Sequence, residues 1–331
     1  MTFDHALPLI FMALMGLAML AYVILDGFDL GVGLLLPLGN SAEKDRMIAA
    51  IGPFWDANET WLVLGVGLLL IAFPKAHGVV MGALYLPVAI MLIGLTLRGV
   101  AFDFRVKAHD DHQALWNKVF FAGSVLASAA QGWMLGRYVT GFADGLSMQV
   151  FAAVIALVLP AAYLMLGATW LLLKTEGLLQ ARARTWAWRA WPIFVLGMGL
   201  ISMATPWVSA TVRERWFAMP QLIALLPIPL TSFGLLVALR IALSRPGIVG
   251  RWCALPFVLI VAILLLGFFG LAYSIYPYVV MDRITLWQAA SAPESLRAIF
   301  WGTAITVPAI IGYTIFAYRV FWGKATDLRY A

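Results

Sequence analysis

Residues 6–36 read ALPLIFMALMGLAMLAYVILDGFDLGVGLLL, a run of 31 residues that contains two carboxylates and no basic side chain. A helix crosses the hydrocarbon core of a bilayer with about 20 mostly apolar residues. The run therefore predicts a membrane-spanning helix, with Asp26 and Asp29 inside it rather than at its ends. Because an ionised group in hydrocarbon is costly, these carboxylates should face protein or a water path.

The composition of the whole chain agrees with this prediction. Of its 331 residues, 63% are apolar and 11% are charged, and the mean hydropathy is +0.93. Soluble domains carry about 25% charged residues, so a soluble enzyme and a disordered linker are excluded. The net charge of +6 is scattered between apolar runs rather than gathered on one face, which excludes a nucleic-acid-binding module. A single cysteine, Cys253, excludes an intrachain disulfide and multi-cysteine metal centres.

Nine segments are long and apolar enough to span a bilayer. They lie near residues 6–36, 53–74, 78–101, 116–140, 149–173, 190–211, 217–241, 253–277 and 299–322. The seventh is the least regular, because Pro220, Pro227 and Pro229 would kink a helix there. As a re-entrant loop, this segment would reduce the count to eight and move the C-terminus to the other side.

The basic residues predict how the chain is oriented. Lys and Arg in alternate connections and adjoining span ends total 16 on one side and six on the other. By the positive-inside rule, the N-terminus lies outside and the C-terminus in the cytoplasm. The first segment follows no basic n-region, so we expect it to be a permanent anchor. We expect residues 1–331 to form one all-α membrane domain.

Ionisable residues inside the spans gather in three places. These are residues 25–33 with Asp26 and Asp29, residues 55–61 with Asp56 and Glu59, and residues 98–107 with Arg98, Asp103 and Lys107. The carboxylates of the first two places are three residues apart, so each pair shares one face of its helix. With the predicted topology, all three places lie in the cytoplasmic half of the membrane.

Three interpretations of this carboxylate cluster are open at this point. The carboxylates could cap helix ends or pair with Arg98, Arg105 and Lys107. They could relay or transport protons, since a cluster open to one side and set in apolar surroundings suits proton uptake. They could also hold a hard cation through oxygen ligands.

The positions of the four histidines bear on haem binding. His5 and His77 fall at the outer ends of spans, and His109 and His112 lie in the connection after the third span. A haem held between helices needs axial ligands at membrane depth, usually histidine. We therefore expect no haem to be ligated by this chain.

A run of basic and tryptophan residues, 182–191, follows the fifth span on the predicted cytoplasmic side. Tryptophan prefers the membrane–water interface, and arginine is attracted to anionic headgroups. The run is typical of an interfacial anchor.

The polar motifs also resemble those of one family, subunit II of the cytochrome bd-type quinol oxidases. The matching pieces are DGFDLGVG at 26–33, WDANETWL at 55–62 and RGVAFDFR at 98–105. Near the C-terminus, YPY at 276–278, ITL at 284–286, AA at 289–290 and PESL at 293–296 are similar to the cyanide-insensitive oxidase branch. The sequence departs from the pattern at Ala57 and Met281, and neither change replaces an ionisable group.

This resemblance implies a bacterial inner-membrane enzyme of the aerobic respiratory chain that oxidises quinol and reduces O2 to water. Haems b and d would be bound by a partner, subunit I, together with the quinol-oxidising loop. Subunit II would be non-haem, built as two four-helix bundles plus one further peripheral helix. A small single-helix subunit and a quinone bound in this chain are further features that the resemblance allows.

The resemblance also implies roles for individual residues. Asp56 and Asp103 would carry protons from the cytoplasm, with Lys107 at the entrance. Asp26 and Asp29 match the first motif of the family, where they would relay protons, bind a cation or pack. Trp55 and Trp61 would face the partner and its haems. The list of proton-path residues is therefore Asp56, Asp103, Lys107, Asp29, Asp26 and Glu59.

Two other functions use the same residues. A stand-alone proton- or cation-coupled secondary transporter would need the same carboxylates, although no paired inverted halves are evident. A purely structural assembly partner would need none of them for electron flux.

Overall fold

A computed structural model describes residues 3–107 and 110–325. The helices are α1 (Phe3–Leu35), α2 (Ser41–Ala49), α3 (Trp55–Ala72), α4 (Pro74–Lys107), α5 (Asp110–Val139), α6 (Leu146–Lys174), α7 (Gly177–Val208), α8 (Ala210–Phe217), α9 (Gln221–Leu225), α10 (Pro227–Ser244), α11 (Leu255–Ile275), α12 (Leu286–Ala289) and α13 (Pro293–Val320). Short 3-10 turns at Leu36–Leu38 and Pro246–Ile248 and two strands, β1 (Tyr278–Val280) and β2 (Ile284–Thr285), complete the elements.

Within the described residues, nine helical segments are long and apolar enough to cross a membrane, as predicted. The helices α1, α3, α4 and α5 form one four-helix bundle, and α6, α7, α10 and α11 form a second. The remaining long helix, α13, packs on α3 and α1 at the side of the first bundle. The chain is therefore an all-α, multi-pass membrane protein with two bundles and one peripheral helix.

The two bundles meet where α6 packs against α1 and α5, and α1 crosses α6 most closely. At this crossing the two backbones are in direct contact through Gly31 and Gly167. A Cβ atom added to Gly31 would lie 1.8 Å from the carbonyl oxygen of Tyr163, and one added to Gly167 would lie 2.3 Å from the carbonyl carbon of Gly31. Small residues permit this approach in membranes, where association relies on close packing.

The helix bounds differ from the predicted spans mainly where helices extend past the membrane. The third predicted span, 78–101, is part of α4, which continues to Lys107, and the sixth, 190–211, begins at Gly177. At 1.5 Å per residue, α4 is about 51 Å long, against a hydrocarbon core of about 30 Å. Polar segments at helix ends remain helical because water and side chains satisfy their terminal backbone groups.

The seventh predicted span consists of two helices, α9 and α10, which are separated at Leu226. Pro220 precedes α9, Pro227 is the first residue of α10, and Pro229 lies in the first turn of α10. A proline at these positions removes no hydrogen bond that the helix would otherwise make. The segment Gln221–Ser244 is therefore helical, and it is long and apolar enough to cross the membrane, as the predicted count of nine requires.

Side-chain contacts fix which ends of the helices lie together. At one end, Arg297 of α13 donates two hydrogen bonds to Asp4 of α1, at 2.5 and 2.7 Å. At the other end, Arg182 of α7 pairs with Glu43 of α2. We call these the outer and inner ends, following the predicted orientation. Residues 326–331, which include the C-terminus, and His109 lie outside the described residues.

The α1–α6 crossing makes a direct prediction. Gly31→Ala should destabilise the folded protein by about 1–3 kcal/mol, because the added methyl group would have to displace backbone atoms. The measurement is the thermal unfolding midpoint of the purified protein in detergent. Gly199→Ala in α7 is the matched control, since a Cβ there meets nothing within 4 Å. Equal midpoints for the two variants would contradict this crossing.

Candidate functional site

The site begins with the two carboxylates of α1. Asp26 and Asp29 both have 0% exposed side chains. The small residues around them bring α6 close: a Cβ added to Gly27 would lie 2.9 Å from the ring of Tyr163. The glycine-rich stretch thus places both carboxylates in the protein interior, near the inner end of α1.

Arg98 of α4 is the cation in this interior. Its Nη2 atom lies 2.5 Å from Oδ1 of Asp26 and 2.5 Å from Oε1 of Glu59. Arg98 is 2% exposed and Glu59 30% exposed. One guanidinium therefore joins α1, α3 and α4, and Glu59 leads from it toward the surface.

Asp29 has a different partner, the amide of Asn58. The Nδ2 atom of Asn58 donates to Oδ2 of Asp29 at 2.8 Å and to the backbone oxygen of Leu25 at 3.2 Å. The amide oxygen of Asn58 also accepts a hydrogen bond: the hydroxyl group of Tyr318 in α13 donates to Oδ1 of Asn58 at 2.9 Å. Asn58 is completely buried, so its amide links α1, α3 and α13.

The buried network is not balanced in charge or in hydrogen bonds. Asp26, Asp29 and Glu59 face one cation, Arg98. Asp26 Oδ2, Asp29 Oδ1 and Arg98 Nη1 are buried and have no hydrogen-bond partner among the described residues. A buried carboxylate that lacks a cationic partner is costly unless it takes up a proton or contacts water. The cluster therefore has the capacity to accept protons.

A second buried chain of polar groups lies beside Asp26. The side chain of Gln131 in α5 donates to the hydroxyl of Tyr22 at 2.8 Å, and the hydroxyl of Tyr163 donates to Oε1 of Gln131 at 2.5 Å. Tyr22 is one helical turn before Asp26 on the same face of α1. The polar interior thus extends from the acidic network into the contact between the two bundles.

Asp56, Asp103 and Lys107 lie at the inner surface. All three are exposed, in contrast to Asp26 and Asp29. Asp56 precedes Glu59 by one turn of α3, so the two carboxylates share a face. The start of α3 packs on the end of α4 through the rings of Trp55 and Phe102, whose centroids are 5.4 Å apart. This contact sets the exposed carboxylates of α3 and α4 side by side.

The two tryptophans of the second motif have neighbours within the chain. Trp55 is half-buried against Phe102. Trp61 is also half-buried, and its Nε1 donates to Oγ1 of Thr314 at 3.2 Å. Trp61 therefore helps to hold α13 against α3, and whether either ring also faces a partner stays a prediction.

One interpretation of the sequence was that the acidic residues form ion pairs with basic ones. The structure shows such pairs for part of the cluster. Asp26 and Glu59 pair with Arg98. Arg105 instead binds Asp45 and Asn117, each at 2.6 Å, and contacts no predicted site residue. Among the described residues, no salt bridge involves Asp29, Asp56 or Asp103.

Several participants were absent from the predicted site. Asn58 stands inside the WDANETW motif, and an amide in that polar patch was a usable signal. Tyr318, Tyr22, Tyr163 and Gln131 carried no such signal, because a single tyrosine or glutamine in a span is common. Only the folded chain brings them to the carboxylates.

The described histidines lie away from this network. His5 and His112 are exposed, and His77 is half-buried near the start of α4. Among the described residues, no pair of histidines therefore lies in the interior of the bundles. Among the same residues, no group of three or more His, Cys, Asp or Glu side chains is arranged to hold a metal ion.

The helical spans and the buried acidic network between them place the chain in the class of all-α integral membrane proteins. Comparison with known proteins defines the class more closely. The family model described as cytochrome bd terminal oxidase subunit II matches residues 7–321. The chain belongs to that family.

Individual relatives agree with this assignment. The chain is 28% identical to cytochrome bd ubiquinol oxidase subunit 2 of Bacillus subtilis, over 93% of this chain and 94% of that protein. It is 26% identical to cytochrome bd-I ubiquinol oxidase subunit 2 of Escherichia coli K12, over 97% of this chain and 96% of that one. Its fold is similar to a chain of the bd oxidase from Geobacillus thermodenitrificans, with a TM-score of 0.78, 18% identity and coverage of 96% and 99%.

The buried ion pair generates a stability prediction. Arg98→Gln should destabilise the protein by about 3–5 kcal/mol, because it leaves Asp26 and Glu59 without their cation. Asp26→Asn in the same chain should recover part of that loss, since one of the stranded charges is removed. Thermal unfolding of the single and double variants measures both effects. A double variant whose loss equals the sum of the two single losses would contradict the pairing.

Proposed function

We propose that this chain is the non-haem subunit II of a bd-type quinol:O2 oxidoreductase in an aerobic respiratory chain. The observation that carries the proposal is the family match over residues 7–321, and the buried acidic network of the first bundle supports it. The chain would support a haem-bearing subunit I and lie in a bacterial inner membrane. Its N-terminus would be periplasmic and its C-terminus cytoplasmic, as the distribution of basic residues favours.

In this proposal the chain itself binds no haem. Haems b and d, bound in subunit I, supply the electron transfer and O2 reduction. A small single-helix subunit and a quinone bound to this chain are further components that fit the family resemblance.

The contribution of this chain to turnover would be a path for protons from the cytoplasm. Asp103 and Asp56 would collect protons at the inner surface, with Lys107 at the entrance. The exposed fraction of the carboxylates falls from the surface inward along α3 and α1. Asp56 is exposed, Glu59 is 30% exposed, and Asp26 and Asp29 are 0% exposed. The unpaired oxygens of Asp26 and Asp29 support proton exchange with water at the buried end.

The geometry gives Arg98 and Asn58 defined roles in such a path. Arg98 would hold Asp26 and Glu59 in place and offset part of their negative charge. Asn58 and Tyr318 would orient Asp29. Protons taken up on one side of the membrane and consumed near the other make turnover electrogenic, at about 2.3 kcal/mol per 100 mV for each charge that crosses.

The proton path makes a prediction about Asp56 and Asp103. Asp56→Asn and Asp103→Asn should each lower quinol-driven O2 consumption by about tenfold or more, because the amide cannot carry a proton. The assay uses the purified two-subunit complex, and haem content is read from its visible absorption. Haem content should be unchanged, since both side chains are exposed and nearly constant in size.

Two controls separate this role from a structural one. Asp144→Asn changes an exposed carboxylate at the outer end and should leave O2 consumption unchanged. Asp56→Glu keeps a carboxyl group and should retain much of the activity. If Asp56→Asn and Asp103→Asn kept normal rates with normal haem content, the chain would be a structural partner and not a proton path.

The assembly itself is tested by purification in mild detergent, with partners identified by mass spectrometry. We expect a second large membrane subunit and the absorption of haem. Haem that stayed with this chain after removal of the partner would contradict the absence of ligands. A colourless protein that purified alone would overturn the oxidase proposal and favour the secondary transporter.

A further inference from the structure

The inner ends of the second bundle carry a concentration of positive charge that the acidic network does not use. The arginines there are Arg182, Arg184 and Arg189 on α7, Arg240 on α10, and Arg245 and Arg251 in the connection to α11. No Asp or Glu occurs between residues 177 and 213 or between residues 215 and 281. This rim is therefore strongly cationic and has few carboxylates nearby to neutralise it.

Two of these arginines fasten α7 to α10. Arg184 donates to the backbone oxygens of Leu243 and Ser244, at 2.7 and 2.8 Å. Arg240 donates to the backbone oxygen of Trp188 at 2.8 Å, and its guanidinium lies 3.8 Å from the centroid of that ring. These bonds build a rigid seam between the two helices. They use carbonyl oxygens, which carry no full negative charge, so the seam stays cationic.

The arginines that follow the seam contacts in sequence are exposed. Arg189 comes directly after Trp188, and Arg245 directly after Ser244. Neither has a carboxylate within salt-bridge distance among the described residues. Trp188 is itself 43% exposed, which suits a residue at the membrane–water interface.

Each of these two arginines lies at the inner end of an apolar stripe, Arg189 on α7 itself and Arg245 directly after the last residue of α10. On α7 the stripe is Ile193, Leu196 and Leu200, which are 59%, 63% and 46% exposed and follow Arg189 at helical spacing. On α10 it is Phe233, Val237 and Ile241, which are 68%, 39% and 50% exposed and lead to Arg245. A molecule that contacts both the exposed arginines and the apolar stripes must be anionic at one end and apolar along its length.

We propose that the seam between α7 and α10 is a binding site for an anionic phospholipid of the inner leaflet. Arg189 and Arg245 bind the phosphodiester headgroup, Trp188 and Arg240 form the floor beneath it, and the acyl chains lie along the two stripes. Nucleic acid does not match these stripes, because it has no apolar length to cover them. A protein segment could cover them, and the experiment distinguishes that case.

The test uses the complete two-subunit complex in nanodiscs that contain phosphatidylcholine and phosphatidylglycerol. Native mass spectrometry counts the lipids that stay bound after stripping. Each basic residue near a membrane surface contributes enough to change the affinity for anionic lipid about fivefold. We expect Arg189→Gln and Arg245→Gln each to reduce phosphatidylglycerol occupancy by about that factor, with phosphatidylcholine binding unchanged.

Two further variants make the result specific. Arg213→Gln removes an exposed arginine from α8 near the outer end and should retain phosphatidylglycerol. Arg189→Lys with Arg245→Lys keeps both charges and should also retain it. The proposal is overturned if the glutamine variants keep wild-type occupancy or if Arg213→Gln loses lipid equally. Loss of a protein subunit in place of the lipid would also overturn it and would make the seam a protein interface. Proton-path activity is not involved in any of these outcomes.

Discussion

A single buried guanidinium connects three helices at the inner end of the first bundle. Arg98 of α4 binds Asp26 of α1 and Glu59 of α3 within 2.5 Å. In a low-dielectric interior, none of these charges is tolerable without the others. The relative positions of the three helices are therefore coupled to one another through electrostatics as well as through packing. The glycine crossing at Gly31 then fixes α6 against this unit.

The network differs from a purely structural ion pair because it contains more acid than base. An ion pair with equal numbers of acidic and basic groups, all hydrogen-bonded, would hold helices together and would have no reason to exchange protons. Here Asp29 is bound by an amide rather than by a cation, and three polar atoms of the cluster lack partners. Such a network is costly to build inside a membrane protein. This imbalance is the physical reason to expect function at this site.

The same end of the protein carries two kinds of charge in separate places. The acidic groups lie inside the first bundle and at its inner mouth, and the arginines lie on the rim of the second bundle. Separation of this kind leaves Asp56 and Asp103 without salt bridges among the described residues, while the α7 and α10 rim stays cationic. The two proposed functions, proton uptake and the binding of lipid headgroups, therefore use separate sets of charged residues.

The sequence by itself determined the protein class, the nine spans and the segments that hold the ionisable residues. These follow from hydropathy and spacing, which are local properties. The polar motifs also resembled the right family, since their residues are contiguous in sequence. Helix ends were less well predicted, because α4 and α7 continue beyond the membrane as polar helices.

Only the tertiary structure decided which carboxylates are buried and what each one contacts. Asp56 and Asp26 look alike in sequence, each in a polar motif near an inner helix end, yet the first is exposed and the second has no exposed surface. The difference arises because burial depends on which neighbouring helix covers a residue. Tyr318, 260 residues from Asn58, completes the site in the same way. Contacts between distant segments depend on packing of the whole chain, which local patterns do not specify.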